Sequence, residues 1–244
     1  MLPILISLLI TVSAYIFIGI YYLGTSRWPN TYQNKKVLFV TAHPDDECMF
    51  FGPTIRFFKH TGHVFLICMT NGNYDGLGEE RGDELIQSSK RLGLDPANVK
   101  LVDSKILTDG PEEDWSETDV SAEVVKYANE IKPDIIVTFD EYGVSGHVNH
   151  IATSRGVKYA FDKQLLPENT RLYQLKSVNF FRKYSSFVDC FISSTSMVYN
   201  IGSFKDIVNI QSAMKCHKTQ LSWFRKLYVM FSRYMVVNTL QSVL

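Results

Sequence analysis

The sequence has no surplus of charge: Lys plus Arg and Asp plus Glu number 25 each. A chain without net positive charge has no bulk electrostatic hold on nucleic acid, which argues against that partner class. Cysteine is scarce and scattered. Cys48, Cys68, Cys190 and Cys216 form no CxxC pair and no compact framework, as expected of a reduced, cytosol-facing domain. Cys48 lies beside an acidic cluster, but no His or Asn pattern of a thiol enzyme accompanies it. No Gly-x-Gly-x-x-Gly follows the first buried strand, so the dinucleotide-binding signature is missing. There is no internal repeat and no low-complexity tract.

Charge is absent before Arg27. Leu2 to Leu23 is almost wholly apolar and about as long as a bilayer-spanning helix. A cleaved signal peptide would want a basic n-region and a small-residue cleavage site, and neither is clear. Tyr15, Tyr21 and Tyr22 instead suit interface anchors. Arg27, Lys35 and Lys36 follow the span, so the positive-inside rule puts the rest of the chain in the cytoplasm. The expected organisation is a membrane anchor at 1–26, a short linker over Thr25 to Asn34, and one domain at 36–244, long enough for a sizeable core.

Within that domain short apolar runs alternate with helical patterns. Val37 to Thr41, Val64 to Thr70, Lys100 to Asp103 and Asp134 to Phe139 read as strands. Phe51 to His60, a helix ending near Leu92, Asp119 to Ile131 and a helix ending near Phe161 read as their crossovers. Thr108 to Thr118 is polar and acidic and reads as an exposed loop. The expected fold class is α/β, a Rossmann-like, mostly parallel sheet with helices on both faces. Beyond Pro167 the sequence suggests strands at Leu172 to Val178 and Ser196 to Ile201, then a helix over Phe204 to Cys216. Leu221 to Leu240 reads as a last amphipathic helix with Leu221, Phe224, Tyr228, Phe231 and Met235 on one face. It packs on the core, or lies on a membrane surface with Trp223, Phe224 and Tyr228 at the headgroups.

The chemistry gathers at two strand ends. After Val37 to Thr41 come Ala42-His43-Pro44-Asp45-Asp46-Glu47, where open α/β sheets bind ligands. An acidic cluster there is commonly an N-cap and first helical turn, but imidazole with carboxylate also suits Zn²⁺. After Asp134 to Phe139, a Gly-containing loop leads to His147-Val148-Asn149-His150, whose two histidines share a helix face. Loops leaving one sheet edge can converge.

Together these two stretches resemble the PIG-L/LmbE-like family of zinc-dependent de-N-acetylases over about Lys36 to Phe161. Bacterial members often read HPDH where this chain has Val148 and Asn149. The apolar span and the HxNH form resemble the branch acting on N-acetylglucosaminylphosphatidylinositol in GPI-anchor synthesis at the endoplasmic reticulum. The resemblance implies that His43, Asp46 and His150 hold Zn²⁺ or another divalent metal. It implies that Asp45 is the general base, and that His147 stabilises the oxyanion or protonates the leaving amine. Asp140 is either a loop cap or a partner orienting a histidine. Arg81, in the loop after the second strand within GEERGDEL, either pairs a substrate phosphate or bridges to Glu80 or Glu84. His60, His63 and His217 carry no ligand spacing. The rival readings are a deacetylase of a soluble GlcNAc conjugate and a Rossmann-like binding module without catalysis.

Overall fold

A computed structural model describes residues 2–28 and 32–243. In chain order its helices and strands are α1 (Leu2–Tyr22), β1 (Ser26–Arg27), β2 (Lys36–Thr41), α2 (Asp46–Met49), α3 (Gly52–Thr61), β3 (His63–Cys68), α4 (Gly78–Leu92), β4 (Val99–Leu101), α5 (Glu117–Ile131), β5 (Ile135–Phe139), α6 (Gly143–Gly146), α7 (Val148–Asp162), β6 (Arg171–Leu175), α8 (Phe180–Lys183), α9 (Asp189–Ser193), β7 (Val198–Ile201), α10 (Phe204–Met214), α11 (Trp223–Phe231) and β8 (Val237–Val243). One sheet runs β1-β7-β8-β6-β5-β2-β3-β4. The segment β4-β3-β2-β5-β6 is parallel, and β8, β7 and β1 add antiparallel strands.

The strand sequences follow from this layering. β2 is buried at every residue after Lys36 and β5 at all of its residues. A strand covered on both faces has no use for polar alternation, which is why both read as continuous apolar runs. α3, α4 and α10 pack together on one face, and α5 packs on α7 on the other. The connections therefore run in opposite directions from β2 and β5, which are adjacent in register from Val37–Ile135 to Phe39–Val137. That is the switch point at which such sheets open a crevice beyond their strand ends.

Three expectations need correction. The segment Leu221 to Leu240 is not one helix. α11 ends at Phe231, a turn of 3₁₀ helix covers Arg233–Met235, and β8 fills the gap between β7 and β6. Thr108 to Thr118 is not simply exposed: Trp115 is buried and its indole N–H donates to the Thr108 carbonyl at 2.8 Å. Of the linker, residues 29–31 lie outside the described set, but β1 pairs antiparallel with β7. Among the described residues no helix is long and apolar enough to cross a membrane. α1 itself is a helix of 21 residues, and the side chains at 15, 16 and 18–20 lie outside the description.

Candidate active site

The loop after β2 is built around its own backbone. Asp45 has φ 121°, a conformation L residues rarely adopt and one costing on the order of 1–3 kcal/mol. Several bonds hold it there. Its N–H donates to Glu47 Oε2 at 3.0 Å, and its carbonyl accepts from Met49 N at 2.9 Å and Cys48 Sγ at 3.2 Å. Glu47 is fully buried, accepts from Ser88 Oγ and lies 2.8 Å from His217 Nε2. Asp46 Oδ2 accepts the backbone N–H groups of Ala42 and His43 at 3.0 and 2.8 Å. Its other oxygen is thereby turned toward the cavity.

The loop after β5 delivers the second histidine. Gly143 has φ +55°, and a Cβ there would sit 2.8 Å from His150 Cβ, so glycine lets the backbone close in. The Gly143 carbonyl lies 3.0 Å from His150 Nδ1. A carbonyl only accepts, so Nδ1 carries the hydrogen and Nε2 presents a lone pair. The ring stacks on Phe139 at 4.2 Å between centroids.

His43 is fixed by the same logic. Its Nε2 lies 3.1 Å from Asp109 Oδ1 and 3.0 Å from Asn149 Oδ1. Two acceptors require Nε2–H, which leaves Nδ1 as a lone pair. His43 Nδ1 and His150 Nε2 are 3.3 Å apart, and Asp46 Oδ1 is 3.2 Å from His150 Nε2. Three acceptor atoms thus face one another with no donor among them. Ligand atoms about 2.0–2.1 Å from a tetrahedral zinc are about 3.3 Å apart, so the donor set fits such an ion. Burial pushes the pKa of His43 down, but the hydrogen bonds and charges of Asp109 and Asp46 outweigh it and raise it to about 9.

A cavity of about 890 Å³ opens over these atoms. His147 lines it, its ring 4.7 Å from that of His43, with Nδ1 accepting from Asn149 N at 3.3 Å. Burial, then the positive charge of His43 and His150, lowers its pKa to about 4. His43, His147 and His150 also form a trio with ligand atoms within 4.8 Å of one another. Asp46 Oδ1 also faces these atoms and brings negative charge, whereas His147 Nδ1 already accepts from Asn149 N. Asp45 is ion-paired with Arg225 of α11.

Arg81 sits differently from expectation, and Asp140 takes one of its two expected places. Arg81 is in the first turn of α4, not a loop, and bridges to neither Glu80 nor Glu84. It pairs with Asp109 at 3.1 Å and donates to the Gly72 and Pro44 carbonyls at 2.8 and 3.2 Å. Glu84 instead accepts from Thr219. Asp140 accepts from Ser177 N and Oγ and from Tyr142 N, and so caps its loop; the group bonded to His150 is the Gly143 carbonyl. Asp109 and Arg225 carried no sequence signal, since neither lies in a motif. His217 is buried against Glu47 and is not a surface residue. Glu47, Cys48 and His217 form a second cluster of ligand type. Burial, then Glu47, pushes the Cys48 thiol well up, which leaves it neither a ready ligand nor a nucleophile.

Comparison with known proteins finds similar chains and similar folds. The chain is 42% identical over 212 residues to a Bos taurus protein called N-acetylglucosaminyl-phosphatidylinositol de-N-acetylase, covering 84% of this chain and 83% of that one. A Schizosaccharomyces pombe protein, called a probable enzyme of the same name, is 36% identical over 220 residues, covering 85% and 86%. Among solved structures, the N,N'-diacetylchitobiose deacetylase of Pyrococcus horikoshii shares the fold at TM-score 0.60 and 18% identity, covering 86% of this chain and 84% of that one. The family described as PIG-L: GlcNAc-PI de-N-acetylase matches residues 38–161, the stretch carrying both histidine loops, and this chain belongs to it.

Proposed function

We propose that this chain hydrolyses the N-acetyl group of N-acetylglucosaminylphosphatidylinositol, giving glucosaminylphosphatidylinositol and acetate in GPI-anchor biosynthesis. The observation that carries the reading is the convergence of His43 Nδ1, His150 Nε2 and Asp46 Oδ1 at the floor of an open cavity. These three residues would hold Zn²⁺, which when bound lowers the pKa of a water molecule to about 7 and polarises a carbonyl.

The remaining roles belong to the chain's own groups. Asp45 takes the proton from the attacking water. Its strained backbone, fixed by Glu47, keeps its carboxylate apart from that of Asp46, so one acid serves as ligand and the other as base. The water oxygen adds to the acetyl carbon, the C–N bond breaks, and the amine leaves with the proton that Asp45 took from the water. His147 accepts at Nδ1, so Nε2 carries the hydrogen and can donate it to the tetrahedral oxyanion. Asn149 and Asp109 hold the tautomer of His43, and the Gly143 carbonyl holds that of His150.

In this reading α1 anchors the enzyme in the endoplasmic reticulum membrane as a single span, with the catalytic domain in the cytoplasm. Twenty-one helical residues rise about 31 Å, the thickness of a hydrocarbon core, although the described part of α1 falls short of a span in length and apolarity taken together. Its described large side chains, among them Leu2, Ile4, Leu8, Ile10 and Phe17, are exposed, an arrangement that is costly in water and favourable in lipid. The test is acetate release by the purified chain from lipid-linked and soluble GlcNAc-inositol, with and without chelator. Release that chelator abolishes and zinc restores is expected. No release from either substrate sinks the reading.

A further inference from the structure

His43, Asp45, Asp46, His147 and His150 lie at the floor of the cavity, below its mouth. Two helices from distant parts of the sequence form that mouth. α8 contributes Phe180 and Lys183, followed by Tyr184, and α11 contributes Trp223, Phe224 and Phe231. Tyr184 meets Tyr228 edge-on at 6.4 Å, which joins the two sides. Around this rim large apolar side chains face outward. Phe181 is 85% exposed, Trp223 74%, Phe180 70% and Met230 63%. Phe187, Val188, Phe191 and Ile192 continue the patch toward α1 and are also exposed. Contiguous apolar surface of this extent marks an interaction site.

Charge indicates what covers it. The chain is neutral, but from Glu168 onward there are ten Lys and Arg against three Asp and Glu. No acid lies between Glu168 and Asp189, and none follows Asp206. Asp189 is buried and neutralised by Arg182 and Arg233, at 2.6 and 2.7 Å. The aromatic rim is therefore set in a basic field, with Lys183 in the cavity wall and Lys226 exposed on α11. Aromatic and aliphatic side chains flanked by cations suit a bilayer surface with anionic headgroups. Position agrees. The C-terminal end of α1 packs on α9, where Tyr22 meets Phe191 edge-on at 6.4 Å, so the patch begins where α1 enters the domain.

We propose that α8, the segment leading to α9, and α11 form one membrane-docking face around the cavity mouth, which seats the active site on an anionic lipid surface so that a lipid-linked sugar enters without leaving the bilayer. This rests on the reading of the substrate as lipid-linked. It also assigns orientation to the domain rather than to the anchor. A single helix leaves the domain free to swivel about it, whereas a second contact fixes which way the cavity faces.

The test uses the full-length chain in vesicles of phosphatidylcholine and phosphatidylserine with brominated acyl chains. Bromolipid should quench the fluorescence of the parent more than that of Trp223→Phe, and iodide in the water should not reach Trp223. Equal bromolipid quenching of the two proteins, with Trp223 open to iodide, overturns the proposal. A second arm replaces Phe181 and Met230, which do not line the cavity, with Ser. Activity on vesicle-borne substrate should fall on the order of tenfold while activity on soluble GlcNAc-inositol is unchanged. Equal losses on both substrates, or none on either, overturn it. So does a detergent-solubilised dimer that the double variant abolishes, found without bromolipid quenching, since a second copy then covers the face. Failure of the catalytic reading is distinguishable: the unaltered chain would release acetate from neither substrate while the quenching result stood.

Discussion

At the scale of single residues, the proposed mechanism gives two adjacent aspartates different work. Asp46 is pinned by two backbone N–H groups, and Asp45 is turned away by its own strained φ. Asp45→Asn should therefore keep bound zinc and lose activity by on the order of a hundredfold or more, as a lost general base would. Metal analysis beside a rate assay checks this, and loss of zinc in that variant would exchange the two roles. His43→Ala, Asp46→Ala and His150→Ala should each lose zinc and activity together, because one of three protein ligands is gone. His217 acts one step further out. Its Nε2 is the partner of a fully buried Glu47 carboxylate that in turn holds the Asp45 N–H. His217→Ala leaves that carboxylate short of a partner and should cost about 3 kcal/mol, a fall in Tm on the order of 6–12 °C for a chain of this size. A Tm within about 2 °C of the parent, by calorimetry, would mean Glu47 is held well enough by Ser88 and the Asp45 N–H.

At the scale of elements, the C-terminal third does more than extend the sheet. β8 is inserted between β7 and β6, and Asn238 on it donates to the Phe50 carbonyl at 2.7 Å and accepts from Thr54 N and Oγ1 at 3.1 and 2.8 Å. The last strand is thus stitched to the start of α3, directly behind the catalytic loop. The fully buried Arg233 in the turn before β8 pairs with Asp189 at 2.7 Å, and the half-buried Arg182 of α8 pairs with the same carboxylate. Asp189→Ala would leave a buried guanidinium unpaired. The expected cost is about 3–5 kcal/mol, read as a lower midpoint in urea. An unchanged midpoint would show that this junction does not hold the C-terminal strands in place.

At the scale of the whole molecule, the proposed function rests on two external determinants, metal and membrane. A cation held at the three converging acceptors would bind the folded chain and not the unfolded one, so its removal should lower Tm as well as abolish activity. Thermal scans with and without chelator, and with zinc restored, measure this; a Tm indifferent to chelator would leave the acceptor trio without an ion. Topology is the second. Arg27, Lys35 and Lys36 should keep the domain on the cytosolic side, so protease added to sealed microsomes should digest it. Protection of the domain would reverse the orientation.

The sequence by itself determined the chemistry of the donors and the strands that present them. Both kinds of information are local. β2 and β5 are legible because a strand buried on both faces must be apolar throughout, and the donors follow each strand, His43 and Asp46 directly after β2 and His150 one short loop after β5. Family resemblance followed from those same residues. What only the tertiary structure decided came from far along the chain. Asp109 reaches His43 across sixty-six residues and Arg225 reaches Asp45 across 180; no spacing rule links such positions, because the sheet order and not the sequence separation brings them together. Leu221 to Leu240 shows the same limit within one segment. Its apolar spacing fits a helical face, yet its second half is β-branched enough for a strand, and the open edges of β7 and β6 settled which it became.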